Sequence, residues 1–531
     1  MKPFECKARK KLRPRSMVNS HSLQFIMATR LLRLLSRRLP LLLSAGALLS
    51  LDPDLRHLRT LEMPEAGSYR QGLPEYTREE VGRHKTYQDR IWITYKRGVY
   101  DVTSFLERHP GGKKLLLAAG AAADPFWTFY SIHKRPDIFQ MLESMRIGNL
   151  KASERQIDLS DPYFSDPLRH ASLHPLSLKP YNAEADSEIL LDGPITPNEV
   201  AFVRNHLPVP DIDPEQYELE IGGEGFERPV KLSLLKLRTD YKLHTIAVTI
   251  QCAGNRRAAM EEVAPVKGLQ WGAGAISTAQ WTGVLLSEVL ARAGVTTDTA
   301  ARHVCFQGYD ADPGGNYEAS IPISRALNPY DEVLLAFEMN GEVIPRDHGF
   351  PVRVIVPGVA GVRNVKWVRK VSLSKQESET VWQRRDYKVF PGSVDLATVD
   401  YDSAPSIQEL PVNSAILSHK TGDVVTSDSV NLSGYAISGG GREIHRVEVT
   451  TDQGSSWTQA DITHLLPSPS GKTWTWTHWK AQVALESQGE VTACVRAVDA
   501  GYNTQPKSLE EVWNFRGLLN NSWHCVKLNK Q

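Results

Sequence analysis

Residues 91–112 read IWITYKRGVYDVTSFLERHPGG and constrain the fold more tightly than any other part of the 531-residue chain. Two β-rich runs, IWITY and GVYDV, flank Lys-Arg-Gly, which predicts a tight hairpin. TSFLER then predicts a helical turn that must stop at His109, because Pro110 cannot continue a helix. Gly111 and Gly112 let the backbone turn sharply and pass close to a ligand. KKLLLAAG and DPFWTFYSIH predict two further helices, with Asp124 as N-cap and Pro125 at the first helical position. His133 ends the second of these, 24 residues after His109. Helix pairs of this kind wall a slot, with one imidazole reaching in from each side.

Two histidines on opposite walls of an apolar slot suit both axial positions of a b-type haem, which favours electron transfer over oxygen chemistry. A lone histidine is more often a satisfied surface or core residue, and His84 is read that way. With HPGG and the second histidine in place, the segment closely resembles the cytochrome b5 family. The resemblance implies an α+β haem-binding domain over 76–150, with His109 and His133 on the haem iron. The charged stretch that follows, KASERQIDLSDP, lacks apolar periodicity and is punctuated by Asp-Pro. It predicts a flexible linker over 151–165 between two redox units.

The chain length suggests roughly three or four domains of about 150 residues. Its five cysteines are scattered, odd in number and contain no CxxC pair, which argues against a disulfide framework, a zinc ribbon or covalently attached haem. Cys494 sits in a strand pattern and is read as core. The net charge of +1 hides an asymmetry: residues 1–51 hold eleven Lys or Arg and one acid. No basic stripe suited to a phosphate backbone follows, so nucleic acid is excluded as a partner. Residues 27–50, MATRLLRLLSRRLPLLLSAGALLS, are Arg-rich and acid-free with leucines at helical spacing, as in a mitochondrial transit segment. The apolar stretch 39–51 is shorter than the ~20 residues that span a bilayer. Residues 1–75 are therefore expected to be a presequence and sorting segment, with no stable membrane span in the mature chain.

Residues 251–257, QCAGNRR, close the apolar run HTIAVTI and leave one thiol beside Arg256 and Arg257. Cys252 is either a buried structural cysteine or a thiolate stabilised by cations and available as nucleophile or metal ligand. Its surroundings, 166–401, mix strands, short helices and loops without βαβ regularity. Neither GxGxxG nor GxxxxGK[ST] occurs, so nicotinamide, flavin and nucleotide signals are absent. Arg204, Asn205, His206, His348, Arg353 and Lys366 together offer donors suited to a polyanionic ligand, with Asp310 as acceptor and Cys252 as soft ligand. One thiolate beside an anionic organic cofactor suggests molybdenum held by a pterin dithiolene.

FVRNHLPVP, QCAGNRR and RDHGFPVRVIVPG, in that order behind the haem segment, resemble the sulfite oxidase family. The resemblance implies that Cys252 is the thiolate ligand of molybdenum. It implies that Phe202, Val203, Arg204, Asn205, His206, Asp310, His348, Arg353, Asn364, Val365 and Lys366 hold the pterin. It also implies an anion pocket of Arg204, Arg257, Trp271 and Arg516 with Tyr387 beside the metal, so that Cys252, Tyr387 and Arg204 carry the catalysis. The implied reaction is two-electron oxidation of sulfite to sulfate, with electrons passing singly through the haem to cytochrome c in the mitochondrial intermembrane space. Residues 402–531 alternate in strand fashion between Gly, Asp and Ser turns and predict a β-sandwich. In the family this is an immunoglobulin-like domain that forms a homodimer. Two rivals remain. A nitrate-reductase-like enzyme shares the molybdenum and haem modules, but there the haem module follows the molybdenum domain. A non-catalytic haem-binding adhesion protein would contain iron and no molybdenum.

Overall fold

The computed structural model describes residues 65–531 except 130–132, 134, 152–161, 164, 465–467, 469 and 486–487. The presequence expected over 1–75 therefore lies almost wholly outside the described residues, as does most of the linker expected over 151–165.

Near the N-terminal end, β1 (Glu75–Tyr76), β2 (Trp92–Tyr95), β3 (Gly98–Asp101) and β4 (Arg146–Leu150) form one sheet in the order β1-β4-β3-β2. The expected hairpin is β2–β3, with Tyr95 opposite Gly98. The segments on either side of HPGG, Thr103–Arg108 and Gly112–Ala118, wind as 3-10 helices. The α-helices Asp124–Phe129 and Pro136–Ser144 follow. Asp124 is itself the first helical residue, and its carboxylate accepts the Lys96 N–H at 3.0 Å, which ties the helix to the hairpin turn. Ile93, Tyr95, Tyr100, Val102, Trp127 and Leu142 fill the small core between sheet and helices.

The central unit opens with a three-stranded sheet of β5 (Leu173–Leu178), β6 (Tyr181–Ala185) and β7 (Val203–Arg204). Ten strands follow: β8 (Glu218–Gly223), β9 (Val230–Ser233), β10 (Leu243–Gln251), β11 (Ile276–Leu285), β12 (His303–Asp312), β13 (Gly315–Pro322), β14 (Leu334–Met339), β15 (Glu342–Val343), β16 (Arg353–Ile355) and β17 (Val368–Ser374). They make two sheets, β10-β11-β14-β15 with β16 on β14, and β13-β12-β17-β8-β9. Apolar side chains from both sheets share one core, including Val284, Leu335 and Val354 from the first and Ile221, Phe306 and Val371 from the second. Strand β10 buries Ile246, Val248 and Ile250 and then ends, which carries Cys252 to the sheet's edge.

The C-terminal unit is β-rich. It contains β18 (Asn413–Ile416), β19 (Val424–Val425), β20 (Ser429–Ile437), β21 (Ile444–Thr450), β22 (Thr458–Gln459), β23 (Asp461–His464), β24 (Thr477–Ala484), β25 (Gly489–Asp499) and β26 (His524–Lys530). The sheets β18-β20-β24-β23 and β19-β26-β25-β21-β22 share a core around Leu432, Val447, Trp479, Val495 and Leu528. One expectation is corrected here. Cys494 is not a lone core thiol: it lies directly opposite Cys525 on paired strands and forms a disulfide with it. Only strand register brings the two together, and register is invisible in cysteine spacing alone. Cys252 and Cys305 are free and buried.

Candidate active site

His109 leaves the 3-10 helix Thr103–Arg108 in an extended conformation. Its Nδ1 lies 3.3 Å from the carbonyl of Gly112, which can only accept, so Nδ1 carries the proton and Nε2 keeps its lone pair. Gly111 has no room for a side chain, since a Cβ there would sit 2.8 Å from the ring carbon Cε1. The His109 and His133 rings lie with centres 6.4 Å apart and planes within 11°. Two imidazoles bound to one atom at about 2 Å each place their ring centres at about that separation. Burial pushes both imidazoles down, His133 to about 4, which keeps them neutral ligands. The pair fits the axial ligation of a haem.

At the end of β10, the Cys252 N–H donates to the Ala275 carbonyl at 2.9 Å, and the Gly254 N–H reaches the Cys252 sulfur at 3.4 Å. The residue that takes the left-handed conformation in this turn is Arg256, with φ 61°. This conformation sends its guanidinium away from the thiol into the C-terminal unit, onto Asn413 Oδ1 at 2.8 Å, the Ser522 carbonyl at 2.9 Å and the Trp523 carbonyl at 3.1 Å. The expected pair of cations beside the sulfur is therefore one, Arg257. Burial lowers the Arg257 guanidinium to about 10, and the nearby Cys252 acts to raise it. Arg257 Nη1 donates to the Leu269 carbonyl at 2.8 Å and Nε to that of Gly517 at 3.1 Å. Gly254 is needed for this approach, because a Cβ would meet Arg257 Nη2 at 2.5 Å.

Cys252 opens onto a cleft that also receives Phe202, Arg204, His206, Asp310, His348, Arg353, Asn364, Val365, Lys366 and Tyr387. These residues come from β7 and its flanks, the β10 end, β12, the turn before β16, β16 itself, the loop after it and, for Tyr387, the segment beyond β17, so the cleft is assembled from distant parts of the chain. His206 Nε2 and the Tyr387 hydroxyl are 2.8 Å apart. Burial, with Arg204, Lys366 and Lys114 adding to it, holds His206 well below its ordinary value, and burial pushes the Tyr387 phenol up. Both are neutral at physiological pH. His348 is lowered to about 4, chiefly by burial. Lys366 Nζ donates to the carbonyls of Arg204 at 3.0 Å and Asp347 at 2.8 Å, and also to Asn205 Oδ1. Burial pushes Lys366 down and Asp310 up.

Asp310 Oδ1, Arg353 Nε and Trp281 Nε1 are buried with no hydrogen-bond partner among the described residues. A buried polar atom left unsatisfied costs about 1–3 kcal/mol, so such atoms mark where a polar ligand belongs. Donors, acceptors and one thiol in a single cleft fit a phosphorylated pterin and a soft metal. Among the described residues no three His, Cys, Asp or Glu side chains converge on a metal-sized point.

Not every expected residue lines the cleft. Val203 faces the other way, into a cluster with Leu173, Tyr181 and Ala183. Asn205 stands behind the cleft, donating to Asp347 Oδ1 at 2.9 Å. Trp271 is fully buried against Cys252, Phe202 and Ala275. Arg516 comes from the C-terminal unit and pairs with Asp386 at 3.1 Å, next to Tyr387. Sequence reasoning missed Asp347, Asp386 and the indole of Trp281, over which Arg353 sits at 5.2 Å. Asp347 and Asp386 each directly precede a residue that was singled out, His348 and Tyr387. A buried row of cations needs carboxylates behind it, and that was the available signal.

The haem-binding loop rests against this same region. Lys114 Nζ lies 3.4 Å from Asp312 and 4.6 Å from the Trp382 ring centre. A Cβ on Gly112 would collide with the Arg385 guanidinium. Trp382 in turn lies 6.1 Å from the His206 ring. One indole thus stands between the haem loop and the cleft wall.

A family model for the cytochrome b5-like heme/steroid binding domain matches residues 77–151. A model for the oxidoreductase molybdopterin binding domain matches 206–382, and one for the Mo-co oxidoreductase dimerisation domain matches 404–531. The chain thus carries a haem-binding domain ahead of a molybdopterin-binding oxidoreductase domain, the order opposite to that expected of a nitrate reductase. It is 49% identical to sulfite oxidase of Gallus gallus over 458 residues, which cover 85% of this chain and 99% of that one. It is 48% identical to the mitochondrial sulfite oxidase of Homo sapiens over 457 residues, 85% of this chain and 84% of that one. Among solved structures, sulfane dehydrogenase SoxCD from Paracoccus pantotrophus superposes with a TM-score of 0.56 at 25% identity, covering 72% of this chain and 96% of that one. With two redox domains and a dimerisation domain in this order, and near-half identity over most of its length, the chain belongs to the sulfite oxidase family.

Proposed function

We propose that this chain oxidises sulfite to sulfate and passes the electrons singly through its haem to cytochrome c, as a homodimer in the mitochondrial intermembrane space. The observation that carries this reading is the buried thiol of Cys252 opening onto a cleft rich in cations, with the haem loop docked at its edge. When bound, the molybdenum–pterin group supplies the two-electron acceptor and the oxygen transfer. The residues of the chain supply position and charge. Cys252 would hold the metal. Phe202, Arg204, Asn205, His206, Asp310, His348, Arg353, Asn364, Val365 and Lys366 would hold the pterin and its phosphate, with Val203 contributing backbone alone.

Arg204, Arg257 and Arg516 would draw the sulfite anion in beside Trp271, since arginine stays charged and offers forked donors to oxyanions. Tyr387, kept a phenol by burial and held by His206, would donate a hydrogen bond to substrate oxygen. His109 and His133 would ligate the haem iron. The assigned boundaries are 1–75 presequence, 76–150 haem domain, 151–165 linker, 166–401 catalytic domain and 402–531 an immunoglobulin-like dimerisation domain. The acidic balance of the chain beyond residue 51 does not extend to the haem domain, where residues 76–150 hold twelve Lys or Arg against eight Asp or Glu, so steering of a basic acceptor would need a local patch.

The test is Cys252→Ser, assayed for molybdenum, haem and sulfite-dependent cytochrome c reduction. The expected result is an unchanged haem spectrum with turnover below about a hundredth of wild type, a barrier change of at least ~2.7 kcal/mol. Retained turnover would sink the thiolate assignment. A wild-type protein that binds haem but never molybdenum would favour the adhesion reading.

A further inference from the structure

Strand β6 lies between the two halves of the proposed anion pocket. On one edge it pairs with β7, with Asn182 opposite Arg204 and Ala183 opposite Val203. Asn182 is buried, and its Oδ1 accepts from Arg204 Nη1 at 3.0 Å and from the Asn205 N–H at 2.9 Å. Its own amide is pinned by donation to the Pro180 carbonyl at 2.9 Å. Two residues on, and so on the same side of the strand, Glu184 accepts the N–H of Gly272 at 3.0 Å and that of Gly274 at 3.2 Å.

Those two amides belong to the segment 271–275, which forms the floor of the thiol turn. Cys252 N–H donates to the Ala275 carbonyl, Arg256 N–H to that of Gly272 at 2.7 Å, and Ala258 N–H to that of Trp271 at 3.1 Å. The contact with β6 is close. A Cβ on Gly272 would lie 2.9 Å from Glu184 Oε1, and one on Gly274 would lie 2.7 Å from the Ala185 carbonyl. One face of one strand therefore grips Arg204 through Asn182, and the support of Cys252 and Trp271 through Glu184.

We propose that Asn182 and Glu184 are positioning residues for sulfite oxidation: β6 acts as a ruler that fixes the gap between Arg204 and the Cys252–Trp271 side of the pocket. Alternate residues of a strand stand about 6.5–7 Å apart, a spacing that neither loop could set for itself. A carboxylate that accepts two backbone amides holds its segment more firmly than a neutral group, because its hydrogen bonds are charge-assisted. The inference rests on the assignment of Arg204 to sulfite binding.

The test uses the full chain loaded with both cofactors. Asn182→Ala, Glu184→Gln, Arg204→Gln and the pair Asn182→Ala with Arg204→Gln are compared for kcat and sulfite KM, with molybdenum content and amide hydrogen exchange across 270–276. Asn182→Ala is expected to raise KM about tenfold, the size of a lost hydrogen bond to a charged group. If Asn182 acts through Arg204, the double variant should match Arg204→Gln alone within about twofold. Glu184→Gln turns one acceptor into a donor facing a backbone N–H. It should speed exchange in 270–276 about tenfold and raise KM at unchanged molybdenum content. Multiplying effects of Asn182→Ala and Arg204→Gln would overturn the role of Asn182. Unchanged exchange in Glu184→Gln would overturn the clamp, and this readout serves a variant that loads molybdenum poorly. If Arg204→Gln alone leaves KM untouched, the sulfite assignment of Arg204 fails, and the exchange result still judges Glu184.

Discussion

Reversing one charge on the haem loop, Lys114→Glu, should slow haem reduction while sparing chemistry in the catalytic cleft. Lys114 is about one-third exposed and sits 3.4 Å from Asp312, whose side chain is 2% exposed. The same ammonium lies 4.6 Å from the Trp382 ring centre. A partly exposed ion pair contributes about 0.5–1 kcal/mol, and a cation over an indole contributes a similar amount. The reversal removes both and sets two carboxylates against each other. The total is about 2–3 kcal/mol, or roughly a 30- to 150-fold fall in the docking equilibrium constant. Stopped-flow measurement of haem reduction after sulfite is added reads the docked population. An artificial acceptor that bypasses the haem reads the cleft alone. The first rate should fall steeply and the second should hold, and Asp312→Lys in the same chain should restore much of the first. If Lys114→Glu reduces its haem at the wild-type rate, electron transfer does not use this contact. A parallel fall in both assays would trace the loss to the cleft, which Lys114 approaches through His206.

Three further outcomes follow from particular contacts. Replacing Cys494 and Cys525 together by Ala should lower stability by about 3.7 kcal/mol, from a sequence separation of 31 in the chain-entropy account; identical denaturation curves with and without reductant would refute the cross-link. Asp347 is pushed up by burial but held below its ordinary value by the Arg169 fork, at 2.8 and 3.0 Å, and by Asn205. A depressed carboxylate contributes stability that is complete above about pH 4 and lost as pH falls through its folded value. Asp347→Asn should therefore be less stable than wild type at neutral pH and converge on it in acid, and a constant gap in the unfolding midpoint would contradict this. Gly111→Ala should press on the His109 ring and change the haem absorption spectrum, while sulfite oxidation with an artificial acceptor continues; an unchanged spectrum would remove the steric argument.

The haem hairpin was legible because its signals are local: a three-residue turn between two β-rich runs, a proline and two glycines after a histidine. The cleft was legible in a different way. Arg204, His206, Asp310, His348, Arg353 and Lys366 lie far apart in sequence, and only the likeness of whole segments to a family pointed to them together. What stayed hidden depends on register and side-chain direction. Nothing in QCAGNRR says that the left-handed residue is Arg256 and not Gly254, so nothing says that this arginine leaves the thiol. Nothing in the spacing of Cys494 and Cys525 shows that they face each other on neighbouring strands. Asn182 and Glu184 look like ordinary polar positions of a half-buried strand until the loop at 271–275 is laid against them.

The Arg256 contact with Ser522 joins residues 266 positions apart, and Arg257 reaches the carbonyl of Gly517 in the same way. Until those distant residues are in place the turn has its sheet but not its clamp, so the pterin would enter a site still missing one side. Cofactor loading is therefore expected to wait until Gly517 and Ser522 have reached the thiol turn. A chain cut short before Trp513 would keep almost every residue of the cleft and still fail to hold the metal. Damage near the terminus of this protein should accordingly surface as molybdenum deficiency, with the haem domain intact and spectrally normal.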